Sequence, residues 1–400
     1  MTSGEVDPAG HVTSPRGFVA GAAYAGIKTY GEGKLDLAIL VSELPCTTAA
    51  TFTRSRLQAA AVDIDRAKLA ARPARGVVVN SGIANASTGR RGIEDGYALA
   101  RLAAQRAGIQ EDEMLVCSTG VIGQYLPMER LAAAMPKVVL SREGGAEFAR
   151  AIITTDTRPK TGAVRFGPYT IGGACKGSGM IHPNMATMLA FLTTDAPVEA
   201  GFLRAAFSRA VDDSFNLVSV DGDTSPSDTA VVFANGAAGG ELIAAGSALA
   251  AKFESALRAL CVHLAREIAR DGEGATKLVE FSVREAASPE DARHLVRLLS
   301  TSYLLKSAIH GADPNWGRIT AVIGRSGVTF NDDAVTIDLC GVRVFEHGRP
   351  TAFNAAALSQ AMRGSEVSIE VALGAGQEAA TGWGCDLSAE YVAINADYHT

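Results

Sequence analysis

Between Gly172 and Leu192 the chain carries one lysine, one histidine and no carboxylate, and its glycines alternate with apolar residues. The stretch reads Gly172-Gly173-Ala174-Cys175-Lys176-Gly177-Ser178-Gly179-Met180-Ile181-His182-Pro183-Asn184-Met185-Ala186-Thr187, then Met188-Leu189-Ala190-Phe191-Leu192. A solvated linker between domains is rich in Ser, Pro and charge. Met180, Ile181, Met185, Met188, Leu189, Phe191 and Leu192 do not suit such a linker, so this segment is expected inside the fold. Glycine makes up 42 of the 400 residues, well above its usual share of about 7%. Such a surplus points to tight turns and to places where backbone approaches something closely.

A chain of 400 residues is expected to form two domains or lobes and to bury a large core without disulfides or metal. The net charge of −6 and the lack of a basic run argue against nucleic acid as a partner. The six cysteines (Cys46, Cys117, Cys175, Cys261, Cys340 and Cys385) form no CxxC pair and no zinc pattern. They read as reduced core thiols of a cytoplasmic protein. Glu5, Asp7 and Pro8 precede any apolar stretch, unlike a signal peptide, and no apolar run reaches membrane-spanning length.

Residues 1–16 read as a loosely held start. Strands are expected at Leu35–Val41, Val77–Asn80, Leu115–Cys117, Leu278–Arg284, Ile319–Ile323, Val335–Val344 and Val367–Leu373, with a hairpin from Ala163–Phe166 to Tyr169–Gly172. Helices are expected at Glu94–Ala107, 128–136, 144–153, Leu304–His310 and Ala352–Arg363. The clearest lies at 249–270, where Phe253, Leu257, Leu260, Leu264 and Ile268 form one face. It runs into Asp271-Gly272-Glu273-Gly274, whose glycines suit a C-terminal turn. The mixture predicts an α+β layered fold.

Phosphate-loop, dinucleotide, GxSxG and HExxH motifs are absent, and the seven histidines are scattered. Two segments remain. Cys117-Ser118-Thr119-Gly120-Val121-Ile122-Gly123 is a strand end running into a Ser/Thr/Gly turn. Backbone N–H groups and a hydroxyl there suit a developing oxyanion, although an ordinary β-turn has the same composition. Thr187 follows a Gly-Ser-Gly, a proline and an asparagine in apolar surroundings. A threonine on strained backbone can attack the preceding carbonyl and cut its own chain. The α-amine so released, with a pKa near about 8, then activates the adjacent hydroxyl. The alternative is a buried loop-to-helix junction.

Lys176 through Leu189 closely resembles the self-cleavage site of the ornithine acetyltransferases, or bifunctional glutamate N-acetyltransferases, of arginine biosynthesis. Companion blocks resemble that family in the same order: Asn80–Gly82 with Asn85-Ala86 and Thr88-Gly89, Ser118–Gly123, Thr154–Thr157, Asp221–Ser225, Asp271–Lys277, Asp313–Arg318, Trp383–Leu387 and Tyr391–Tyr398. The resemblance implies an αββα sandwich of N-terminal-nucleophile type with a smaller C-terminal α/β lobe, the lobes spanning about 1–275 and 276–400. It implies cleavage between Ala186 and Thr187 into an α chain, 1–186, and a β chain, 187–400, assembled as an α2β2 heterotetramer. Thr187 is then the catalytic nucleophile, and Thr119 and Gly120 fall on the oxyanion positions. Thr154, Lys176, Thr187, Glu273, Asn395 and Thr400 fall on the substrate-binding positions. N-acetylornithine is the expected acetyl donor and glutamate the acceptor, with no resident cofactor or metal and with acetyl-CoA as a candidate second donor. Lys176 suits the substrate carboxylate and Glu273 the distal ammonium.

The sequence departs from the family at Ile83, at Pro226-Ser227 and at His399. These differences leave open a paralogue with another acyl donor or acceptor. An N-terminal-nucleophile amidohydrolase or aminopeptidase would pass the acyl group to water, and a non-catalytic amino-acid-binding paralogue is the third alternative.

Overall fold

Strand Leu189–Thr194 is buried at every residue, and successive side chains on a strand face opposite sides. Leu189 and Phe191 enter one hydrophobic core, whereas Ala190 and Leu192 enter another. This strand therefore lies in a sheet covered on both faces. In the computed structural model, which describes residues 4–28, 34–182 and 188–397, that sheet has six strands. Their order is Val6–Asp7, Lys160–Phe166, Tyr169–Lys176, Leu189–Thr194, Thr229–Ala234 and Thr47–Phe52.

On one face it packs against a four-stranded sheet ordered Phe18–Ala23, Leu37–Ser42, Gly76–Ile83 and Met114–Val121. Leu40, Val77, Val79 and Leu115 meet Leu189, Phe191, Val231 and Phe233 between the sheets. Phe148, from the helix Gly145–Ile152, meets Phe191 edge to face with ring centroids 5.2 Å apart. The outer face of the six-stranded sheet is covered by helices Ala200–Asp212 and Ala250–Arg270, the latter through the expected stripe Phe253, Leu257, Leu260, Leu264 and Ile268. Helices Ala60–Ala71 and Gly89–Ala107 cover the outer face of the four-stranded sheet with residues such as Ala61, Leu99 and Ala103. The layers run helix, sheet, sheet, helix, the αββα sandwich that the family resemblance implied.

The rest of the chain builds a seven-stranded sheet, of which Leu278–Ala286, Glu366–Ala372 and Glu378–Cys385 are the longest strands. Phe281, Val283, Ile337, Ile369 and Val371 meet the helices Pro289–Ser300, Tyr303–His310, Trp316–Arg325 and Ala355–Met362.

Three expectations are corrected. Ile319–Ile323 is helical, within Trp316–Arg325. Ile319, Val322 and Ile323 stand at i, i+3 and i+4 and bury together, a pattern that a short apolar run does not distinguish from a strand. Residues 335–344 contain two strands, Thr336–Leu339 and the beginning of Val342–Glu346. They are joined through Cys340 and Gly341, both at positive φ, which suits a two-residue hairpin turn. Residues 4–16 are not loose: Val6 and Asp7 pair with Val164 and Ala163, and Val12 is buried between the sheets. Among the described residues, no helix is long and apolar enough to cross a membrane.

Candidate active site

Gly76–Ile83 and Met114–Val121 are parallel neighbours, and their C-terminal ends meet with Gly82 opposite Gly120. Both glycines have positive φ, 116° and 126°. A Cβ on Gly120 would collide with the Gly82 carbonyl and Cα, so two backbones touch where a side chain would separate them. Thr119 and Gly120 are among the last residues of a strand, and the turn expected over them begins only at Ile122.

From the other sheet, strand Tyr169–Lys176 ends in line with the beginning of Leu189–Thr194, Lys176 pairing with Leu189. The buried Lys176 ammonium donates to the Thr119 hydroxyl at 3.2 Å. The two β-sheets thus meet at these side chains.

A ring of buried charge holds the surroundings. The Asp156 carboxylate accepts from Lys160 Nζ at 2.6 Å, from the Gly177 N–H at 2.7 Å and from the Thr154 N–H at 3.0 Å. Lys160 reaches a second carboxylate, Asp271, at 2.5 Å. Asp271 also accepts the N–H and hydroxyl of Thr157. Burial alone would raise the Asp156 pKa, but Lys160 and then Lys176 outweigh it and hold the carboxyl well below its usual range. For Lys160 burial works the other way, and Asp156 and Asp271 more than offset it, so its pKa is raised. Burial lowers the Lys176 pKa despite the opposing charge of Asp156.

Glu273 follows the turn at the end of Ala250–Arg270. Its N–H donates to the Ser178 carbonyl at 2.8 Å, and its carboxylate accepts from Asn395 Nδ2 at 2.9 Å. Gly179 lies against that carboxylate with no room for a Cβ. Asn395 comes from the C-terminal helix Ala389–Asp397.

The chain ahead of the expected cleavage position is also held. Asp221 accepts from the N–H groups of Met180 and Ile181 at 2.6 and 2.9 Å, and Met180 has a φ of 53°. Arg297 donates to His182 Nε2 at 2.7 Å. Burial, with Arg297 adding to it, lowers the His182 pKa to about 4, so the ring is neutral at pH 7.

One cavity is lined by Thr119, Gly120, Thr154, Lys176, Glu273 and Asn395, and Met188 also lines it. Six of the expected positions therefore come together from segments that span most of the chain. Ala186, Thr187 and Thr400 lie outside the described residues, as does His399. Pro226 and Ser227, two departures from the family pattern, line the cavity beside the buried Asp228. Sequence reasoning did not single out Asp228, Lys160 or the roles of Asp156 and Asp271. Their only local signal is the i, i+4 charge pair Asp156/Lys160. Among the described residues no group of three or more His, Cys, Asp or Glu is placed to hold a metal ion.

The ArgJ family model matches residues 19–400. An arginine biosynthesis bifunctional protein ArgJ of Symbiobacterium thermophilum is 49% identical, covering 98% of this chain and 99% of its own. The protein of the same name from Thermus thermophilus is 49% identical, covering 97% of this chain and all of its own. A solved Bacillus halodurans chain, also an arginine biosynthesis bifunctional protein ArgJ, is 41% identical with a TM-score of 0.51. It is matched over 98% of its own length by 52% of this chain. With nearly its whole length matched by relatives at this identity and six of its carried-over residues gathered around one cavity, this chain belongs to the ArgJ family.

Proposed function

We propose that the chain is a self-cleaving acetyltransferase of arginine biosynthesis that moves an acetyl group from N-acetylornithine to glutamate. The convergence of Thr119, Gly120, Thr154, Lys176, Glu273 and Asn395 on one cavity carries this reading. The arginine-biosynthesis relatives support the pathway. The solved Bacillus halodurans chain is about half as long as this one, which supports a two-chain mature form.

In maturation, Thr187 Oγ attacks the Ala186 carbonyl, the acyl group moves from nitrogen to oxygen, and water hydrolyses the ester. Ala186 is left with a carboxylate and Thr187 with an α-amine. In turnover that neutral amine takes the hydroxyl proton while Oγ bonds to the acetyl carbon of N-acetylornithine. The Thr119 hydroxyl and Gly120 N–H stabilise the oxyanion of the tetrahedral intermediate. As the C–N bond breaks, the protonated amine returns its proton to the leaving α-amine of ornithine, and acetyl-Thr187 remains. The α-amine of glutamate then attacks the ester by the reverse sequence. This releases N-acetylglutamate and regenerates Thr187.

Lys176 is assigned to the substrate carboxylate and Glu273 to the distal ammonium. Thr154 and Asn395 supply hydrogen bonds, and Thr400 closes the assigned set. We further infer a cytoplasmic α2β2 assembly, with acetyl-CoA as a second donor and no resident cofactor. Incubation with N-acetylornithine and labelled glutamate is expected to yield N-acetylglutamate and equimolar ornithine. Release of acetate instead would contradict the transferase reading in favour of a hydrolase, and a Thr187→Ala chain is expected to stay whole and inactive.

A further inference from the structure

Thr119 and Lys176 come from different sheets, yet the ammonium lies 3.2 Å from the hydroxyl oxygen and both side chains are buried. An ammonium has three donors and no acceptor, so the hydroxyl can only accept from it. The single hydrogen of Thr119 must then point elsewhere, and Thr119 lines the cavity beside Gly120. A neutral lysine amine has a lone pair that can take this hydrogen and turn it away from the cavity. The charge state of Lys176 therefore sets the direction of a hydroxyl assigned to the oxyanion.

We propose that Asp156, braced by Lys160 and Asp271, is a positioning residue for acyl transfer: it keeps Lys176 as the ammonium, and the ammonium aims the Thr119 hydrogen at the developing oxyanion. This rests on the acetyltransferase reading above. The brace is tight. Asp156 Oδ1 accepts from Lys160 Nζ at 2.6 Å and from the N–H of Gly177, the residue after Lys176, at 2.7 Å. Lys160 is held from its other side by Asp271 at 2.5 Å. The carboxylate is thereby fixed against the strand end that carries Lys176.

The charges around Lys176 come from several elements. Burial lowers its pKa most strongly, Asp156 opposes this, Lys160 adds to it, and Asp228 and Glu273 oppose it. Lys28, whose own pKa burial lowers to about 8, is a further cation within electrostatic reach. Asp156 heads the opposing group, so its removal moves the Lys176 pKa down.

The test is the pH profile of kcat in the cleaved enzyme, with saturating N-acetylornithine and glutamate. The wild type is expected to lose activity on the alkaline side as Lys176 deprotonates. In Asp156→Asn that loss begins about one pH unit lower or more, the scale of a lost charge at close range. At pH 8 kcat at saturating substrate falls in Asp156→Asn, KM rises with the loss of the ammonium that pairs with the substrate carboxylate, and Asp156→Glu recovers part of both. Thr119→Val lowers kcat about 10²-fold, the scale of one lost oxyanion donor, and its alkaline limb disappears, whereas Thr119→Ser keeps the limb. The Thr119 variants leave the charge network intact, so they decide the matter if Asp156→Asn is not recovered folded and cleaved. An alkaline limb that does not move in Asp156→Asn, or that persists in Thr119→Val, overturns the inference. Absence of acetyl transfer in the wild type overturns the functional reading instead.

Discussion

Gly120→Ala places one methyl group at the point where two strand ends touch. The built Cβ falls 2.5 Å from the Gly82 carbonyl oxygen and 2.6 Å from its Cα, well inside the roughly 3.5–4 Å of ordinary carbon contacts. Both partners are backbone, so no side-chain rotation relieves the overlap, and the strand ends must part by about 1 Å. Gly120 also sits at φ 126°, where a residue with a Cβ is strained by about 1–3 kcal/mol. Overpacking adds about 1–3 kcal/mol, and the sum is a loss of about 2–6 kcal/mol in stability. The same displacement moves the Gly120 N–H and the Thr119 hydroxyl off the position assigned to the oxyanion. A shift of that size costs about 10²-fold in rate. Thermal unfolding of the cleaved enzyme, together with kcat and KM for N-acetylornithine, measures both effects. The deficit is expected in kcat, with KM changed less, because the oxyanion forms only in the transition state. Wild-type kcat in a folded Gly120→Ala enzyme would refute the assignment of this strand end to catalysis.

Other perturbations probe separate parts of the molecule. Glu273→Gln removes the charge assigned to the distal ammonium and is expected to raise KM for N-acetylornithine about 10- to 100-fold, the scale of a charged hydrogen bond; an unchanged KM would reassign Glu273. Phe191→Ala empties a fully buried position between the two sheets, packed against Phe148, and is expected to cost about 3–5 kcal/mol in denaturant unfolding; a loss below about 1 kcal/mol would contradict the layered core. The folded pKa of Asp156 lies below its ordinary 3.8 because Lys160 and Lys176 outweigh burial, so its stabilising charge is present above that value and fades as pH falls toward the folded pKa. The stability gap between wild type and Asp156→Asn, read from urea unfolding, should be widest near neutral pH and narrow below about pH 4; a gap that widens in acid would reverse that sign.

The parts of the site that were legible in sequence are those written locally. The Lys176–Leu189 block is contiguous, and the Thr119-Gly120 pair is announced by a strand running into small residues, although the strand continues through both to Val121. Ala250–Arg270 was legible because its buried face repeats over five turns, long enough for helical period to differ from strand period. Ile319–Ile323 is too short for that distinction, and its helix emerges from packing against the seven-stranded sheet. The charge brace was hidden for another reason. Lys160 and Asp271 are 111 residues apart, and a buried aspartate has the same letter as a solvated one. Only the fold shows that Asp156 is buried against Lys160, within the electrostatic reach of Lys176, instead of on the surface. Pro226 and Ser227 stood out as departures from the family pattern, but their place on the cavity wall depends on contacts distant in sequence.

The central claim is that Thr187, freed by self-cleavage, carries the acetyl group. Intact-mass measurement of the denatured enzyme before and after brief exposure to N-acetylornithine tests it most directly. The account predicts two polypeptides, 1–186 and 187–400, and after exposure a second chain heavier by one acetyl group that maps to Thr187 and is discharged by glutamate. A single uncut chain that still transfers acetyl, or an acetyl group on any other residue, would contradict it.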